Sequence, residues 1–134
     1  MAAIVNLFVP RRRLHRRVPL GVPVALVHEC GTVGTAVGLN LSVSGVHVQC
    51  DRMTLDSLYR SDVPARLVQS FLDAHFMLPV FSVEAKIDAR CSVVYRQTIA
   101  DDVHVLGLEF LSLPESSRLQ VLRYVNEVPT DADD

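Results

Sequence analysis

Alternation between apolar and polar positions, broken every few residues by glycine or proline, constrains the fold of this chain more than any other feature. "VPLGVPVALVHEC" (18–30) and "GTVGTAVGLNLSVSGVHVQC" (31–50) are rich in valine and carry that rhythm, with Gly31, Gly34 and Gly45 as expected turns or bends. Period two with β-branched residues belongs to strands. "SVEAKIDARCSVVYR" (82–96) and "DVHVLGLEFLSL" (102–113) repeat it around a polar turn near Asp101 and Asp102. Short strands in succession imply an antiparallel barrel or curled sheet, and 134 residues with 49% apolar side chains suffice for one domain with a core.

Two stretches break the rhythm. "SLPESSRLQVLRYVNEV" (112–128) reads as a C-terminal helix over 112–127, with Ser112 and Glu115 as a capping box and Leu119, Val121, Leu122 and Val125 on one face. "SDVPARLVQSFLDAHFM" (61–77) sets Asp62 as a cap ahead of Leu67, Val68, Phe71 and Leu72, which suggests a helix around 62–77 inside a helical insertion over 51–82. Such a helix would pack on the barrel or on its equivalent in a homodimer. The acidic "PTDADD" at the end reads as a frayed tail.

Cys30, Cys50 and Cys91 are odd in number and form no C-x-x-C pair, so a reducing, cytoplasmic setting fits. The apolar "MAAIVNLFV" at the start is too short to span a bilayer and precedes the positive charges, opposite to the order in a secretory signal.

Against a net charge of −2, "RRRLHRR" (11–17) concentrates five arginines in seven positions. Arginine keeps its proton and presents a planar donor fork suited to phosphates and base edges. Arg13 and Arg17 are four apart, as are Arg12 and Arg16. Extended, such partners lie on one side about 13 Å apart at roughly 3.3 Å per residue, a span that suits a ligand with two phosphates. The plain alternative is a solvated basic arm. Further on, in "LNLSVSG" (39–45), alternation turns Leu39, Leu41 and Val43 toward a core and displays Asn40 and Ser42 together, with Gly45 where the backbone needs freedom.

Arg13-Leu14-His15-Arg16-Arg17 followed by Asn40-Leu41-Ser42-Val43-Ser44-Gly45 resembles the paired R-x-x-x-R and [D/N]-x-S-x-x-G motifs of the PilZ family. "RRVPL" leading into the first strand, the late "LGLEFLSL" and the terminal helix are similar too, and the likeness covers residues 11–50 and 83–127. The resemblance implies a mainly β fold, a six-stranded antiparallel barrel with a C-terminal helix. It also implies a non-enzymatic bacterial receptor for the second messenger cyclic di-GMP, with no further cofactor, that relays the signal to a partner protein in motility or biofilm control. Arg13 and Arg17 would then take guanine edges and phosphates, Arg12 and Arg16 would add charge or supply the alternative register, Asn40 and Ser42 would bond the opposite side, and Gly45 would shape the turn. The chain departs from the pattern at Val46, where a second glycine is frequent, and in the length of 51–82.

Two rival readings stay in view. A nucleic-acid binder would use an arginine arm, but the other seven arginines are scattered among fifteen acids and leave no broad basic face. A PilZ-like interaction module without nucleotide, as in type IV pilus assembly, is the second. His28, Cys30 and Cys50 lack standard metal spacing and read as packed strand residues; His47, His75 and His104, set in apolar alternation, read as satisfied or surface histidines. No nucleophile elbow or phosphate loop is present.

Overall fold

The computed structural model describes residues 16–28, 31, 33–58 and 71–128. Among them seven strands follow one another: β1 (Val18–Pro19), β2 (Pro23–His28), β3 (Val33–Ser42), β4 (Gly45–Cys50), β5 (Leu72–Val80), β6 (Val83–Ala100) and β7 (Val103–Ser112). Helix α1 (Arg52–Leu58) lies between β4 and β5, and α2 (Glu115–Glu127) ends the described chain. Neighbouring strands pair in the order β3-β2-β5-β6-β7-β4, and β4 pairs back onto β3, so six antiparallel strands close a barrel. β1 is a two-residue addition on the outside of that ring, with Val18 opposite Leu41 and Pro19 opposite Asn40.

The core fills the barrel with the inward rows of each strand: Val24 and Leu26, Leu41, Val46 and Val48, Ile87 and Ala89, Leu106 and Leu108. Leu55 and Leu58 of α1 are buried in the same cluster. That helix is anchored at its start, where the Asp51 carboxylate accepts the backbone N–H of Thr54 at 2.8 Å and Asp102 accepts that of Arg52 at 2.9 Å. Burial pushes the Cys50 thiol up to about 11 and that of Cys91 to about 12, so both stay protonated.

The helix expected around 62–77 is corrected over its second half. From Leu72 the chain is a strand, while 59–70 lie outside the described residues. Leu72, Ala74, Phe76, Leu78 and Val80 are all buried, a row at period two that replaces helical spacing from Leu72 onward. Outward-facing pairs set the register of β5 on β6. Arg90 donates to both carboxylate oxygens of Asp73, at 3.0 and 3.2 Å, and His75 lies 2.7 Å from Asp88. Among the described residues of the insertion, the helix is α1, immediately after β4.

Helix α2 forms where expected but presents another face and another start. Ser117, Val121, Tyr124 and Val125 are buried, whereas Leu119 and Leu122 are 50% and 37% exposed. Ser112 closes β7, and the helix begins after Pro114 without a side-chain cap, so the capping box does not form. The helix packs across β5 and β6 and reaches β3. Ser117 Oγ accepts the backbone N–H of Asp88 at 3.3 Å, and the Tyr124 hydroxyl donates to the Pro19 carbonyl at 2.9 Å. Tyr124→Phe deletes that hydroxyl while keeping the ring. It should cost about 1 kcal/mol, read as a Tm lower by roughly 4 °C in a thermal melt.

Candidate ligand-binding site

The barrel wall is modified beside β1 by one extra residue. Along β3, Gly38 pairs with Val48 but Asn40 pairs with His47, so Leu39 is an unmatched bulge residue. The bulge reverses the inward phase: Ala36 and Gly38 face in before it, and Leu41 after it. Leu39, expected in the core, is only half-buried, and its carbonyl accepts the N–H of Leu20 at 3.1 Å. Asn40 is thereby held on the outer face, next to the chain entering β1.

Arg17 meets it there. Its Nη1 donates to Asn40 Oδ1 at 2.7 Å. Two motifs 23 positions apart in sequence are joined by one charge-assisted hydrogen bond. Arg16 turns the other way and donates from Nη2 to the carbonyl of Val128, just past α2, at 3.1 Å. Arg12 and Arg13 lie outside the described residues.

Ser42 stays in phase with Asn40 on β3, opposite Gly45 as Asn40 is opposite His47, but it is covered. It is fully buried, its Oγ accepts the N–H of Ser44 at 3.2 Å, and it lies 3.1 Å from Ser44 Oγ. The hydroxyl braces the Val43–Ser44 turn, because short hydroxyl side chains bond readily to backbone two residues on. Gly45, in turn, has no left-handed backbone; positive φ among the described glycines falls at Gly21 and Gly31. Gly45 answers to a close approach instead, since a Cβ there would stand 2.1 Å from the Leu108 carbonyl oxygen on β7.

An open cavity of about 310 Å3 lies against this corner, lined by Arg17, Ser44, Gly45, His47, Gly107 and Glu109, with Val94 and Leu108. Its volume is at the lower end of small-molecule sites. Val94 reaches it from a second irregularity, where β6 slips between Val93 and Tyr95 against β7. His47 stacks on Tyr95, ring centroids 5.9 Å apart and planes inclined by 26°. Burial, then the nearby Arg17 guanidinium, lower the His47 pKa and keep the ring neutral near pH 7. The structure thus brings Arg17, Asn40 and Gly45 to one place, covers Ser42 opposite Gly45 beneath the turn, and leads Arg16 to α2.

Sequence reasoning missed His47, Tyr95, Gly107 and Glu109 as members of this corner. A signal existed for the first: in a strand starting at Gly45, His47 takes the same face as Gly45. The others depend on which strand neighbours β4, and that pairing is tertiary information. Among the described residues, no group of three His, Cys, Asp or Glu side chains could hold a metal ion, and no helix is long and apolar enough to cross a membrane.

The fold is shared with solved structures at low identity. The inhibitor of motility MotI (DgrA) of Bacillus subtilis superimposes with a TM-score of 0.66 at 16% identity over 86% of this chain. The chain spans only half of that protein's length. The PilZ domain of YcgR from Escherichia coli, solved with c-di-GMP, gives 0.57 at 12% identity, covering 87% of this chain and 91% of that one. No curated protein matches the sequence. A family model for the PilZ domain does match, from residue 11 at the head of the arginine run to residue 127 at the end of α2, and by that match the chain belongs to the PilZ domain family.

Proposed function

We propose that this protein is a non-enzymatic receptor for cyclic di-GMP that passes the occupancy of its site to a partner protein. The observation that carries the reading is the Arg17–Asn40 hydrogen bond, which holds Arg17 beside the Asn40–Gly45 turn at a ligand-sized cavity lined by Arg17, Ser44 and Gly45. Cyclic di-GMP offers two anionic phosphates and, on each guanine, the O6 and N7 acceptors that an arginine fork grips in pairs. Arg17 would take one such edge, and Arg13, four residues before it in sequence, would take a phosphate or the second base. Arg12 and Arg16 add positive charge. Asn40 sets the angle of the Arg17 guanidinium and has its amide NH2 to offer the ligand. Ser42 serves through the turn it braces, and Gly45 by leaving the cavity floor open. The similar YcgR domain was solved with this nucleotide, which agrees with the reading.

The partner relay rests on Arg16. Its contact with Val128 joins the arginine run to the end of the C-terminal helix, so a ligand held by the run would be coupled to the surface around α2. Titration calorimetry with cyclic di-GMP tests the reading. The protein should bind saturably, and Asn40→Ala should weaken binding about tenfold by freeing a charged donor, with the melting curve unchanged. A titration without heat, and without displacement of a labelled nucleotide, would overturn it.

A further inference from the structure

A two-residue loop joins β5 to β6: Val80 pairs with Val83, and Phe81 and Ser82 turn the chain between them. Loops of this length favour glycine or asparagine, because their tight turns need a left-handed backbone. Phe81 takes that conformation with φ 58°, and it is the only residue besides glycine to do so among the described residues. The strain brings no burial in return: Phe81 is 71% exposed and Val83 is 68% exposed. A bulky side chain held in a disfavoured backbone and reaching no core points to contact outside the chain. Helix α2 packs over β5 and β6 and brings one cation to this tip. The Arg123 guanidinium lies 5.8 Å from the centre of the Phe81 ring. Leu119 and Leu122, spaced for the same helix face as Arg123, are exposed as well. One turn earlier, Arg118 is paired with Glu115 at 3.1 Å. Among the described residues, neither Glu127, one turn further on, nor any other carboxylate forms an ion pair with Arg123.

We propose that Phe81, Arg123 and the Leu119–Leu122 face form the docking surface for a partner's amphipathic helix that sets one carboxylate among its apolar residues. Phe81 enters between the partner's apolar side chains, and the Arg123 N–H groups donate to the carboxylate. Aromatic residues and arginine carry binding energy out of proportion to their area. A helix fits because Leu119, Leu122 and Arg123 recur at intervals of three and four, a ridge that another helix meets with the same spacing. The Phe81 ring already holds the guanidinium, so little side-chain freedom is lost when the partner arrives. The inference rests on the receptor reading above for the existence of a partner and deepens it by naming where the partner sits. The link is the Val128 carbonyl that Arg16 engages at the end of the same helix, whereas the docking itself needs no nucleotide.

A displayed library of single helices, randomised along one face, is selected on the full chain without nucleotide, and the recovered peptides are synthesised and titrated by fluorescence anisotropy. They should carry an apolar row interrupted by aspartate or glutamate. Phe81→Ala should weaken such a peptide about tenfold or more. Arg123→Glu should weaken it about tenfold, and exchanging the peptide's carboxylate for lysine should restore binding to that variant, an inversion that a loss of fold cannot produce. Phe81→Gly should lose the peptide while its melting temperature holds or rises, because glycine takes a positive φ without steric cost. Recovery of no peptide, of peptides without an acidic residue, or of peptides bound equally well by Phe81→Ala and Arg123→Glu would overturn the docking surface. So would a lower melting temperature for Phe81→Gly, since Phe81 would then serve the fold. Calorimetry with cyclic di-GMP keeps the two readings apart. A protein that binds the nucleotide and no such peptide retains the receptor reading and loses this surface, and one that binds the peptide and no nucleotide does the reverse.

Discussion

Arg13→Ala combined with Arg17→Ala should reduce affinity for cyclic di-GMP on the order of a thousandfold, with the melting temperature nearly unchanged. Each guanidinium that grips a base edge or phosphate in two places is worth about 1–3 kcal/mol, and two on separate parts of one ligand add to roughly 4 kcal/mol. Stability should hold because Arg17 is exposed and its partner Asn40 lies on the barrel's outer face. The companion pair, Arg12→Ala with Arg16→Ala, separates the two registers of the arginine run. Arg16 is committed to the Val128 carbonyl and Arg17 to Asn40, so the first pair should show the thousandfold loss and the second should lower binding only about tenfold through charge alone. Equal losses from both pairs, in side-by-side calorimetry, would show a diffuse polyanion patch with no defined register.

Gly45→Ala should be the most damaging single substitution on the site side of the barrel. The added methyl would need to occupy a position 2.1 Å from the Leu108 carbonyl oxygen and 3.3 Å from the Glu109 Cα. Both are backbone atoms in the β4–β7 ladder and have no rotamer to escape into. Relief requires the two strands to part where Gly45 pairs with Glu109 and Val46 with Leu108. Overpacking of this kind costs about 3 kcal/mol, read as a Tm lower by on the order of 12 °C, and it should deform the cavity wall so that binding is lost as well. Gly34→Ala is the control. Its Cβ would meet Thr54 Cγ2 at 2.5 Å, the tip of a side chain that can turn aside, and should cost less than about 1 kcal/mol. A denaturant titration that ranks the two substitutions the other way would refute the cross-strand argument.

These residues also mark how far the sequence could be read. The barrel, the C-terminal helix and the Asp101–Asp102 turn were legible because period-two valine patterns and polar turns are local signals. The meeting of Arg17 with Asn40 was legible only through a family likeness, since no local rule links positions 23 apart. The burial of Ser42 was not legible: alternation from Asn40 puts it on the outer side of β3, opposite Gly45, and only the pairing of β3 with β4 shows that the turn covers its hydroxyl. The same limit produced the error at β5. "FLDAHFM" satisfies helical and strand spacing at once, and β2 and β6 waiting on either side decide between them. At Gly45 the need for glycine was visible but its reason was not, because Leu108 is distant in sequence and adjacent only across the closed barrel.

The Arg16–Val128 and Tyr124–Pro19 hydrogen bonds tie both ends of the last helical turns to the first residues of the described chain. Those termini behave as one handle. Whatever closes a hand on that handle more firmly when the anion is in place must, by the reciprocity of linked equilibria, tighten the hold on the anion by the same factor. Receiver and messenger would therefore each report on the other, and an affinity measured for either one alone is the floor of its value in the complete assembly.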